Sequence, residues 1–119
     1  YLAILRYKVP QEGIERHRSD HVAFLKKGYE RGDFIVSGKM FNNKGGIILS
    51  PLTRRGDFEQ LLKEDPFKIH DLATYEVIGF DPSRFHPDFA LFIREREKET
   101  IELHPYTSKW EKNFQHEAN

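Results

Sequence analysis

Two stretches of this chain, Leu2-Ala3-Ile4-Leu5 and Ile47-Ile48-Leu49, are apolar at every position, and that limits the fold more than any other feature. Successive side chains of a strand point to opposite faces, so a strand that meets water on one side alternates apolar with polar residues. Strands apolar on both sides belong to a sheet with both faces covered.

The flanking pattern says what covers one face. Tyr1 to Val9 is rich in β-formers and ends at Pro10, with Gly13 opening a turn, which predicts the first strand. From Ser19, read as an N-cap with Asp20 in the first turn, Val22, Leu25 and Tyr29 recur at helical spacing, and Gly32 stands where a C′ residue belongs. Ile14 to Arg18, ahead of that cap, reads equally as an extra helical turn or a loop. Phe34 to Met40 predicts a second strand, Asn42 to Gly46 a hairpin turn with positive φ, and Gly46 to Leu49 a third strand. Pro51 to Gly56 reads as loop. Asp57 can cap a helix carrying Phe58, Leu61 and Leu62, and Asp65-Pro66 restarts a short helical piece with Pro at its favoured N1 position. Thr74 to Phe80 is the last strand. The order β-α-β-β-α-β gives an α+β fold with a four-stranded antiparallel sheet and both helices on one face.

Helices fill only one side in this topology, so the other falls to a C-terminal extension or to the sheet of a second subunit. A homodimer with facing sheets is the expectation, and the extension is the alternative. The composition shifts after Asp81-Pro82, dividing residues 1–80 from an extension over residues 81–119. In the extension, Phe89, Phe92 and Ile93 share the stripe of a helix expected from Asp88 to Lys98, ending in a solvated charge run. Ser108-Lys109-Trp110-Glu111 matches a capping box for a final helix through Gln115, with Trp110 and Phe114 on one edge. The aromatic residues gathered there open a further reading of this segment as an interaction arm.

A chain of 119 residues has room for one core. Its 19 basic and 19 acidic residues cancel, so no overall field draws in nucleic acid or an anionic membrane. The absence of cysteine removes disulfides, thiolate nucleophiles and thiolate metal sites. With no charged leader and no long apolar run, a soluble cytoplasmic protein is expected.

Several short motifs, weak singly, gain weight from their order. They are Asp20-His21-Val22-Ala23-Phe24-Leu25, Ser37-Gly38, Gly45-Gly46, Asp65-Pro66-Phe67 and Tyr75-Glu76-Val77. In this order and spacing the chain resembles the YciI-like (YCII-related) family of the dimeric α+β barrel proteins. The resemblance implies a ferredoxin-like protomer whose sheet pairs with a partner's to form a barrel. It also implies a pocket with a His–Asp dyad, which falls on His21 and Asp65, with Ser37 and Gly38 as neighbours. Residues from about Asp81 onward exceed the usual family length.

Such a pair suits proton abstraction, isomerisation or elimination from a small organic acid or ring, without a cofactor, because imidazole both takes and gives a proton near pH 7 and a carboxylate in reach fixes its tautomer. A lyase or isomerase is the natural reaction class. The alternative is a non-catalytic module that holds a small ligand in the same cavity. Each candidate also has a plainer role: Asp65 as the cap ahead of Pro66, His21 as a half-buried helix residue, and Ser37-Gly38 as a bulge. Arg6 either grips a substrate carboxylate or forms an edge or interface ion pair, and Tyr75 either offers a hydroxyl to the pocket or packs the barrel. His17 and His21 have metal-ligand spacing but no third ligand in a recognisable pattern, so no metal is expected. His70-Asp71 falls in a loop, and His86, His104 and His116 lie ungrouped in the extension. Gly45-Gly46 precedes a strand and therefore serves a turn instead of a phosphate. No Gly-x-Ser-x-Gly elbow is present, which argues against a serine hydrolase.

Overall fold

The computed structural model describes residues 1–94. The chain divides into two units, Tyr1–Gly79 and Phe80–Asn119. In the first, β1 (Leu2–Tyr7) lies between β3 (Gly45–Leu49) and β4 (Ala73–Ile78) and pairs antiparallel with both. β2 (Val36–Lys39) adds to the far side of β3, giving the order β2-β3-β1-β4. This is an α+β unit with an open four-stranded antiparallel sheet, compatible with a ferredoxin-like fold.

Residues directly opposite in an antiparallel ladder share a face, so the register assigns every side. Leu5 pairs with Gly46 and Tyr75, Ala3 with Ile48 and Val77, and Ser37 with Ile48, which puts these residues on one face. Ile4 pairs with Ile47 and Glu76, and Leu2 with Leu49 and Ile78, which puts those on the other. The first face meets the helices. Ala3, Leu5, Ile48 and Ala73 are buried in one cluster with Ile14, Phe24, Phe34, Phe58, Leu62, Phe67 and Leu72. The second face carries Leu2, Ile4, Val36, Ile47, Leu49 and Ile78, of which Val36, Ile47 and Ile78 are exposed.

The helical layer starts earlier than Ser19. α1 (Gln11–Arg16) and α2 (Arg18–Arg31) meet at His17, whose N–H donates to Ile14 at 3.1 Å while its carbonyl accepts from the His21 N–H at 3.0 Å. One residue closes the first helix and opens the second, so no serine cap is needed. Of the two options left open for Ile14 to Arg18, the helical turn is the one formed. α2 ends at Gly32, whose φ of 77° is the left-handed conformation expected there.

α3 (Arg55–Leu62) likewise begins ahead of Asp57, which lies in its first turn near the positive end of the helix dipole instead of at the cap. α4 (Pro66–Ile69) is capped by the Asp65 side chain, with Pro66 at the start. In the hairpin, Asn43 takes the positive φ of 62°, and the Asn42 side chain accepts from the Lys44 N–H at 2.9 Å. No helix among the described residues is long and apolar enough to cross a membrane.

In the second unit, the helix expected from Asp88 is a 3-10 helix, Pro87–Phe92, which gives way to extended backbone at Ile93. The His86 ring accepts from the Asp88 N–H at 3.0 Å, and Phe89 meets Phe92 at 5.5 Å. An aromatic contact three residues apart fits the three-residue turn, in which such side chains eclipse. The charge run after Arg94 and the helix proposed through Gln115 lie outside the described residues.

Candidate active site

Asp65 is the centre of the site. It is fully buried, and the turn between α3 and α4 directs its carboxylate inward. Oδ1 accepts from the Phe67 N–H at 3.0 Å and lies 2.7 Å from Nδ1 of His21. Oδ2 accepts from the Tyr75 hydroxyl at 2.5 Å. Three donors converge on one carboxyl group, which suits an ionised, acceptor-only carboxylate. The cap and the dyad, set out above as alternatives, are one arrangement.

His21 reaches Asp65 from the first turn of α2, with its ring flat on Phe67 at 4.0 Å and 6°. A carboxyl oxygen at Nδ1 orients the ring and leaves Nε2 as its other hydrogen-bonding atom. Nε2 has no hydrogen-bond partner among the described residues. Since no side-chain nitrogen or oxygen among them is buried without a partner, Nε2 reaches solvent. His21 borders a cavity of about 120 Å³ whose lining includes the polar Tyr7, Arg18, Ser37 and Lys39 and the aliphatic Leu5, Val22, Leu25, Ile47 and Ile48.

Ser37 and Gly38 therefore border the same hollow as His21. The Ser37 hydroxyl is hydrogen-bonded to that of Tyr29. Tyr75 packs against the hydrophobic core. Its hydroxyl turns away from the hollow toward Asp65, and burial, followed by the charge and hydrogen bond of Asp65, raises its pKa. Its ring borders a separate groove of about 410 Å³ beside Lys63 and Lys68, with Lys68 Nζ 4.7 Å above the ring. That groove is larger, and its charged residues are Glu59, Lys63 and Lys68 instead of the His21 and Asp65 pair.

Arg6 is not brought to the site. It sits one residue from Leu5 and so on the opposite face, where it is opposite Thr74 and forms a diagonal ion pair with Glu76 at 2.9 Å. Its expected alternative, an ion pair, is what it forms. His17, between α1 and α2, stacks on His70 at 4.0 Å, whereas His21 stacks on Phe67 and contacts Asp65. Among the described residues no group of three or more His, Cys, Asp or Glu could hold a metal ion.

The cations that do border the hollow, Arg18 and Lys39, were not singled out from sequence. Each had a positional signal. Arg18 precedes His21 by three residues on one helix, and Lys39 follows Ser37 by two on one strand, which places each beside its neighbour. Tyr7 borders the cavity as well, with its pKa raised by burial against the opposing influence of Arg18. The chain matches no protein-family model and no curated protein.

Proposed function

We propose that this protein is a YciI-like acid/base catalyst that acts on a small organic molecule without a cofactor, by lyase or isomerase chemistry. His21 is the proton carrier at Nε2, and Asp65 holds the ring in the tautomer that leaves that nitrogen free. Ser37 and Gly38 border the substrate, and a sheet-to-sheet homodimer of barrel type forms through the apolar second face. The observation that carries the reading is the 2.7 Å contact from His21 Nδ1 to the buried Asp65, behind a ring that borders the cavity. General bases act through this geometry, in which the carboxylate orients and the imidazole exchanges the proton. The polar residues beside His21 favour catalysis over simple ligand storage, for which an apolar lining would suffice.

The test is a metabolite screen followed by His21→Ala. Turnover of any substrate found falls by a factor of about 10² or more, while circular dichroism and the oligomeric mass stay as in the parent protein. Full rate in the variant ends the assignment.

A further inference from the structure

The ionisable side chains bordering the His21 cavity are Tyr7, Arg18, His21 and Lys39, and no Asp or Glu is among them. Asp65 stands behind His21 with both oxygens engaged. Glu15 lies behind Arg18, taking its Nε at 3.1 Å and its Nη2 at 2.8 Å. The hydrogen bond to Arg18 lowers the Glu15 pKa and raises that of Arg18, so both stay charged and the guanidinium is held in place. Lys39 is in no ion pair among the described residues. It lies on the helix-side face of β2, opposite Gly46, whose lack of a side chain keeps that part of the hollow free.

Glu15 is taken up by Arg18 and Asp65 stands behind His21, so Lys39 is the cation at the hollow left without an ion pair among the described residues, which suits a single carboxylate there. The rest of the hollow's lining is mostly aliphatic, from Leu5, Val22, Leu25, Ile47 and Ile48, with Ser37, Gly38 and Gly46 among them. Its volume of about 120 Å³ falls below the range of about 300–1,000 Å³ typical of drug-sized ligands. Arg6, the cation expected to receive a carboxylate, is on the wrong face, and Lys39 and Arg18 occupy the right one.

We infer that the cavity selects a small organic carboxylate. Its anionic end lies on Lys39 beside Arg18, and its carbon skeleton lies between Leu25 and His21. This deepens the acid/base reading and rests on it for the identity of the site. Inorganic phosphate is disfavoured because it offers the aliphatic wall nothing to bury.

The full chain is titrated with sodium propionate and sodium crotonate, and in parallel with propionamide, crotonamide and inorganic phosphate, at ionic strength held constant with sodium chloride. Backbone amide signals of Ser37 and Lys39 and the His21 ring are followed by NMR. The acids shift these signals saturably. The amides bind about tenfold more weakly or worse, through loss of a charge-assisted hydrogen bond, and phosphate is weaker as well. Lys39→Gln weakens the acids about tenfold and leaves the amides unchanged, and Lys39→Arg restores binding. Lys39 is exposed on an edge strand, so these variants keep the fold. Amides or phosphate that match the acids overturn the inference, as does unchanged acid affinity in Lys39→Gln. His21→Ala separates the two proposals, because it keeps the Lys39-dependent preference for acids over amides, at an affinity lowered by the lost ring contact, while turnover is lost. Lys39-dependent acid binding with full turnover in His21→Ala removes the acid/base reading and leaves the carboxylate site standing.

Discussion

Asp65 joins stability and chemistry in one side chain, and the two separate on substitution. Asp65→Ala strands the Phe67 N–H, the Tyr75 hydroxyl and the Nδ1 proton of His21 in a buried place. Each stranded donor costs about 1–3 kcal/mol, so the variant loses roughly 3–5 kcal/mol, the range for breaking a buried pair. His21→Ala leaves both Asp65 oxygens still hydrogen-bonded and mainly removes the ring stacked on Phe67, a loss of about 1–2 kcal/mol. Urea unfolding of the two variants shows the difference, and the reverse order would contradict the role given to Asp65. Tyr75 adds a pH dependence. Burial, then Asp65, raises its pKa above the ordinary 10.0. An unfolded chain ionises this phenol near that pH while the folded chain keeps it protonated, so its stabilising share is complete below it and is lost as pH rises further. Tyr7, raised mainly by burial, acts with the same sign. The urea midpoint of the parent protein therefore falls more steeply between about pH 9.5 and 11 than that of Tyr75→Phe. Parallel curves would remove Tyr75 from the linkage.

At the scale of elements, what could be read in advance was local. The β-α-β-β-α-β order, the left-handed Gly32 and the Asp65-Pro66 cap are set by residues within a few positions of each other. The face of Arg6 was not legible, because β1 is apolar on both sides and its alternation does not say which side the helices cover. Nor was the Tyr75 contact, since it requires α4 and β4 to pack before a hydroxyl can meet a carboxylate ten residues away. The start of α2 was misplaced because His17 joins two helices through its backbone, which a search for capping side chains does not see. Gly28 shows the same dependence on packing. A Cβ there would come within 2.2 Å of two atoms of the buried Phe34 ring. Alanine gains about 1 kcal/mol of helix propensity, but overpacking a core costs about 1–3 kcal/mol, so Gly28→Ala is destabilising on balance. Gly28→Ala paired with Phe34→Leu recovers part of the loss, since the smaller side chain gives the methyl room. Thermal unfolding of the single and double variants measures this coupling, and additive losses would refute it.

The first unit as a whole has one sheet face packed against helices and another bearing six aliphatic residues, and the second is the physical argument for a partner. Scattered surface aliphatics are ordinary, whereas Leu2, Ile4, Ile47, Leu49, Val36 and Ile78 adjoin across all four strands. A partner sheet laid on this face would exclude water from it at the spacing of about 10 Å common to stacked sheets. Arg6 and Glu76, paired at 2.9 Å on the same face, would then mark its polar margin. The variant that tests this is Ile78→Glu, which places a charge among the aliphatics on a residue 39% exposed and away from the His21 hollow. The parent protein is expected to sediment as a dimer whose unfolding temperature rises with protein concentration, because association stabilises the folded state by mass action. Ile78→Glu sediments as a monomer, and its unfolding temperature no longer depends on concentration. Its Asp65 network is unchanged, because those contacts lie on the helix side of the sheet. A parent that sediments as a monomer would refute the dimer, and a variant that still sediments as a dimer would remove this face from it.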